Sequence, residues 1–102
     1  MTRVQEIINE LTRRKRSIPC SGSSGVLILL EELGFTHTAG KTDGHRVFVN
    51  KELSELSDFT THSVDCGHKP NRDMNFRYIV KTITKLKLHQ NELEAIYYEK
   101  HA

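Results

Sequence analysis

The chain has no hydrophobic run long enough to cross a bilayer. Its longest, Val26-Leu27-Ile28-Leu29-Leu30, falls far short of the roughly 20 apolar residues that a spanning helix needs. The first residues also lack the charged-then-apolar pattern of a secretory signal. Cysteine is scarce: Cys20 and Cys66 are the two present, where a secreted domain of this size usually carries more. They could pair, but their small number is read as free thiols in a reducing, cytoplasmic setting. No internal repeat and no low-complexity tract is found. Charged residues make up 27%, an ordinary share that argues against global disorder, and 36% hydrophobic residues in 102 allow one modest core and one domain.

The net charge of +2 is unevenly spread. Residues 1–20 sum to +3, residues 21–60 to −3, residues 61–89 to +4 and the tail to −2. Two basic zones around an acidic middle suit a polyanion or an acidic protein, although a solvated surface explains the charges equally well.

Residues 2–16 read as a helix with Val4, Ile7, Ile8 and Leu11 on one stripe, a capping box of Thr2 with Gln5, and Arg13-Arg14-Lys15-Arg16 at its C-terminus. Pro19 forces a break. After a connector in which Ser23 or Ser24 can cap, residues 26–33 predict a helix apolar over most of its surface, closed by Gly34 as a left-handed residue with Phe35 behind it. Residues 35–39 and 45–50 predict a hairpin around a turn at 40–44. In its second strand His45, Val47 and Val49 share one face while Arg46 and Phe48 share the other. Residues 51–58 are polar and read as loop. Residues 60–66 predict a third strand with His62, Val64 and Cys66 on one side, and 67–73 form a basic loop. Asn75 opens a helix on Phe76, Ile79, Val80, Ile83 and Leu86, whose solvent side carries Arg77, Lys81, Lys85 and Lys87. Asn91 with Glu94 caps a last helix holding Leu93, Ile96 and Tyr97.

This order predicts a two-layer α+β domain over residues 1–102: helix, three-stranded antiparallel sheet and helix, with an extra helix at each end. Residues 1–19 form the N-terminal extension, 24–88 the core and 89–102 the C-terminal helix. One face of the sheet stays open. The α-β-β-β-α order is also that of the double-stranded-RNA-binding fold.

The segment Lys41-Thr42-Asp43-Gly44-His45-Arg46-Val47-Phe48 carries the chemistry. It sets a histidine just after a glycine turn, at the mouth of a strand. An imidazole titrates near neutral pH, so a rigidly held, solvent-reachable one can serve as general acid or base. Such a residue can equally be a turn histidine capping a strand.

The ordered set Val26-Leu27-Ile28-Leu29-Leu30-Glu31-Glu32-Leu33-Gly34-Phe35, then Gly44-His45-Arg46-Val47-Phe48, then Val64-Asp65-Cys66-Gly67, then the helix from Phe76 to Leu86 resembles the HicA toxins of bacterial type II toxin–antitoxin systems over residues 24–88. The resemblance implies an mRNA-cleaving endoribonuclease on a double-stranded-RNA-binding-type fold, neutralised by an acidic HicB-type antitoxin. The family's catalytic histidine, in Gly-Ser-His-x-x-Phe, carries over to His45 because Phe48 keeps the register. Two departures stand out: Asp43-Gly44 occupies the place of the family's Gly-Ser, and Cys66 that of a histidine ending the third strand.

RNA brings its own nucleophile, the 2′-OH, so one imidazole that removes its proton can start in-line attack on the adjacent phosphate. Lys41, Arg46 and Lys69 are candidates to stabilise charge on the phosphoryl oxygens. Arg72, Arg77 and Lys81 extend the RNA-binding set. No metal or cofactor is needed for this route. His62, Cys66 and His68, with Cys20, have the composition of a metal site but not the paired-turn spacing, so strand packing is the preferred use. His37 and His89 show no partner in sequence. Tyr78 and Tyr97 read as packing residues, with base stacking as the alternative. The rival functions are a non-catalytic RNA-binding module and a protein-interaction domain. A homodimer through the terminal helices stays open, because the stripe Val4, Ile7, Ile8 and Leu11 needs a cover.

Overall fold

The structure is a computed structural model that describes residues 1–101. Its elements run α1 (Arg3–Arg13), α2 (Val26–Glu32), β1 (Thr36–Ala39), β2 (His45–Val49), α3 (Lys51–Leu56), β3 (His62–Asp65), α4 (Phe76–Leu88) and α5 (Gln90–His101). The expected α+β class and three-stranded antiparallel sheet are present, with five helices in the described residues. No described helix is long and apolar enough to cross a membrane.

Local chemistry accounts for most boundaries. Thr2 caps α1, its Oγ1 accepting the Gln5 N–H at 3.0 Å. The helix stops at Arg13, earlier than expected, where Arg14 turns aside to Glu10 at 2.7 Å and to the Ser24 carbonyl at 2.9 Å. Neither Ser23 nor Ser24 caps α2. Its N-cap is Gly25, where a Cβ would collide with the Cys20 and Ser21 carbonyls. Those crowding backbones do the capping instead: Pro19 and Cys20 carbonyls accept the Val26 and Leu27 N–H groups. At the far end Gly34, at φ +92°, closes α2 with the paired bonds Gly34 N–H to Glu31 and Phe35 N–H to Leu30.

Residues 51–56 form a helix where loop was expected. Six residues with one buried side chain, Leu53, offer almost no periodicity to read. What nucleates α3 is Asn50, buried at the end of β2, whose Oδ1 accepts the Leu53 N–H while its amide donates to the Leu33 carbonyl. The last helix also differs. Asn91 does not cap it; α5 starts at Gln90 directly after His89, and Glu94 instead accepts from Gln90 and from Thr2, tying α5 to α1.

The sheet order is β1-β2-β3, with Phe48 opposite both His37 and His62. Phe48 is fully buried and meets the Phe35 ring edge-on at 6.4 Å. α2 and α4 cover this face, and α1, α3 and α5 pack around them. The stripe Val4, Ile7, Ile8 and Leu11 is buried within the chain, where α1 lies against α4 and α5. On the opposite face Thr36, Thr38 and Val49 are exposed, so the sheet has one open side.

The expectation of free thiols is corrected: Cys20 and Cys66 form a disulfide, with Cα atoms 5.6 Å apart. Counting cysteines could not foresee it, because a sheet end and a connector 46 residues apart meet only in the folded chain. Beside it the segments 18–21 and 70–74 pair through Met74 N–H to Ile18, Ser21 N–H to Pro70 and a bridge between Pro19 and Asp73.

Closing a loop of this length should contribute about 4 kcal/mol by restricting the unfolded chain. The Cys20→Ser and Cys66→Ser double variant is therefore expected to lose most of that in denaturant unfolding, and reductant should move the native protein's midpoint to the same value. Equal midpoints with and without reductant would show that the bond adds nothing.

Candidate functional site

His45 opens β2. The burial of Phe48, three residues on, fixes the phase of the strand and turns His45 to the open face. Its imidazole is half-buried and lies over Gly40, so closely that a Cβ there would overlap the ring. The Gly40 N–H donates to the His45 carbonyl at 2.8 Å, which holds the two residues in register. Across the sheet His45 faces Asp65. The bond from Cys66 N–H to the Gly44 carbonyl makes Gly44 and Cys66 the hydrogen-bonded pair, so His45 and Asp65 form the alternate pair, in which side chains approach most closely. The Asp65 Oδ1 accepts the Gly67 N–H at 2.8 Å. No hydrogen bond joins His45 and Asp65 among the described residues.

The turn before His45 and the loop after β3 meet. Gly44 adopts φ +82°, and a Cβ at this position would strike the Gly67 backbone. Asp43 pairs with His68 at 2.9 Å across the same seam, both side chains exposed. The carboxylate raises the His68 pKa above its ordinary value by accepting a hydrogen bond from the ring. An ion pair this open to water adds little stability.

The expected site residues separate into groups. Lys41, in the turn, and Lys69 and Arg72, in the 67–73 loop, are exposed on the segments that flank His45. Arg46 is half-buried, and strand alternation sets it on the face opposite His45. Arg77 lies in the first turn of α4, beside Arg16. Lys81 sits farther along α4, near enough to His62 for its charge to act on that ring. Asp65 was missed by sequence reasoning; alternation alone could not pair it with His45 without the register.

The remaining histidines and cysteines do not converge, and no group of three potential metal ligands occurs among the described residues. His62 is buried under α4, where its Nε2 lies 2.7 Å from Thr82 Oγ1. That hydroxyl already donates to the Tyr78 carbonyl, so Nε2 must be the donor and His62 is the neutral Nε2–H tautomer. Its Nδ1 is left buried without a partner. Burial first, then the charges of Lys81 and Lys85, push its pKa down to about 4. His37 and His89, without visible partners in sequence, do have them: His37 reaches Glu31 at 3.2 Å and packs on Phe48, and buried His89 meets the edge of Phe59. Tyr97 stacks on His101 at 4.0 Å, and Tyr78 packs partly against the core.

Compared with protein-family models, curated proteins and solved structures, the chain matches none of them.

Two outcomes follow. Gly44→Ala should cost about 1–3 kcal/mol from the backbone alone and more from the Gly67 contact, read as a lower denaturant midpoint; a neutral result would mean that the seam gives way freely. For His62, the unfolded ring takes up a proton near pH 6.5 that the folded one refuses until about pH 4, so stability falls as pH drops through that window. The loss should reach on the order of 2–3 kcal/mol at its acid end, and His62→Gln should flatten the profile. An equally steep acid loss in the variant would place the titration elsewhere.

Proposed function

We propose that this protein is a small endoribonuclease of the HicA type, acting on mRNA, with His45 as general base. What supports the reading is the setting of that one ring. It stands on the uncovered face of the sheet, seated on Gly40, beside the Asp65 carboxylate and between two segments that carry Lys41 and Lys69. In the reaction His45 takes the proton of a ribose 2′-OH, and the 2′-oxygen closes on the adjacent phosphorus. The bond to the 5′-oxygen breaks, and that oxygen is protonated from solvent. The products are a 2′,3′-cyclic phosphate and a 5′-hydroxyl. Asp65 faces the imidazolium as it forms, and the lysines offset the charge that builds on the phosphoryl oxygens. Arg46, on the other side of the strand, is left out of this step.

The order α2-β1-β2-β3-α4 is that of a double-stranded-RNA-binding-like domain, with α3 inserted between the second and third strands. Both departures from the family's residues fall on the seam. A serine at position 44 would bring a Cβ into the Gly67 backbone, and Cys66 is bonded to Cys20. A HicB-type antitoxin, being acidic, would match the cationic rim of Lys41, Lys69 and Arg72. In a cytoplasmic setting the thiols would be kept reduced, and the seam would rest on its backbone hydrogen bonds.

The cysteine at position 66 favours a second reading, an RNA-binding module that does not cleave, since the family's second histidine has no counterpart there whether the thiol is bonded or free. One comparison separates the two. The native protein should convert RNA to fragments ending in a 2′,3′-cyclic phosphate, and His45→Ala should lower that rate by at least about 100-fold with an unchanged melting temperature. RNA binding without fragments in the native protein would establish the second reading. Full cleavage by His45→Ala would remove the histidine from the mechanism.

A further inference from the structure

Two hollows adjoin at the end of β3, next to Asp65. The first, of about 290 Å³, is lined by Asp65, Cys66, Gly67, Asp73, Met74, Asn75 and Tyr78. The second, of about 530 Å³, shares Asp73, Met74 and Asn75 and continues to Arg16, Phe76 and Arg77. Asp73 belongs to both, and the two differ at their outer ends. The first adds a second aspartate, Asp65, and Tyr78. The second presents two guanidinium groups, neither paired with a carboxylate among the described residues. Arg16 is held in place there, its Cζ 4.0 Å from the centre of the Phe76 ring. Arg14, two residues earlier, is already engaged by Glu10 and Ser24, so Arg16 and its exposed neighbours Arg13 and Lys15 are the cations free for a partner.

We infer that the two hollows form a nucleotide-recognition subsite for single-stranded RNA, the first taking a base that bears an exocyclic amino group and the second the phosphate beside it. This rests on the nuclease reading of His45 and gives that site its substrate class. Carboxylates accept hydrogen bonds from the amino groups of cytosine, adenine and guanine, whereas an unpaired uracil offers only its ring N3–H, and the two arginines offset Asp73 where it borders the phosphate. Tyr78 supplies a wall on which an unstacked base can lie. Arg16 and Arg77 hold the phosphate, Arg16 with its plane set in advance by Phe76. A base can enter a hollow beside Asp73 only when it is free of pairing, so the ligand is single-stranded. The N-terminal extension thereby acquires a role: the segment 18–21, pinned to 70–74, delivers Arg16 to the site.

The test uses full-length protein carrying His45→Ala, so that RNA stays intact, and fluorescence anisotropy with labelled oligo-rA, oligo-rC and oligo-rU at several salt concentrations. Oligo-rA and oligo-rC are expected to bind about tenfold more tightly than oligo-rU, and Asp73→Asn to level the three. Arg16→Ala with Arg77→Ala should weaken all three about tenfold and lower the salt slope by about 2. Arg77→Ala alone, at an exposed position, covers the case in which loss of Arg16 unsettles Phe76, and should lower the slope by about 1. Equal affinity for the three oligomers, an unchanged salt slope in the arginine variants, preference for an RNA duplex, or binding to polyglutamate but not RNA would each overturn the inference. Because binding is read without cleavage, failure of the catalytic reading would show separately, as a native protein that binds with this base preference but leaves RNA uncut.

Discussion

The burial of one aromatic ring sets the phase of the central strand and with it the direction of every side chain that strand gives the candidate site. Phe48 lies at the centre of the sheet with no exposed surface, in contact with Phe35, His37 and His62. Side chains on a strand alternate, so an odd separation of three residues sends His45 to the other face. A single-residue slip of β2 would exchange the two, exposing a phenyl ring and burying a titratable one. The same alternation sends Arg46 away from His45, which is why a basic residue adjacent in sequence is not adjacent in chemistry.

The second constraint is the seam where the hairpin turn meets the loop after β3. Gly44 is pressed against Gly67, its carbonyl takes the Cys66 N–H, and Cys66 is in turn bonded to Cys20 at the end of the N-terminal extension. The extension is therefore more than an added helix. Its apolar stripe completes the core beneath α4 and α5, and its tail fastens the loop that borders His45. Glycine at 44 and cysteine at 66 belong to one arrangement, in which close backbone approach and a crosslink hold the turn against the loop.

How much could be read beforehand depended on the range of the interaction. The Thr2 cap, the Gly34 terminus, the apolar stripe of α1 and the two faces of β2 arise from neighbours within a few residues, and each is present as expected. In α4 the expected stripe holds at Ile79, Ile83 and Leu86, but Val80 is exposed and Thr82 is buried, its hydroxyl meeting His62 under the helix. α3 escaped because six residues with one buried leucine carry no period; its cap, Asn50, is fixed by a carbonyl 17 residues away. Ser23 and Ser24 were reasonable caps by composition, but the crowding of Gly25 by the Cys20 and Ser21 carbonyls belongs to the folded connector alone. The candidate cations were visible as types, not as places: Lys41 lies in the turn before His45 and Lys69 and Arg72 in the loop that begins at its seam, while Arg77 and Lys81 occupy separate stretches of α4.

By itself, then, the sequence determined four of the five helices, the Thr2 and Asn75 caps, the hairpin, and the outward direction of His45, because these follow from backbone propensity and from periods of 3.6 and 2 that any short window contains. Only the tertiary structure decided that Asp65 faces that histidine, that Cys20 reaches Cys66, that His62 is held neutral under Thr82, and that Arg16 meets Phe76. Each of those joins segments 20 or more residues apart. Strand register and the docking of the terminal segments bring them together, and neither is written in local order.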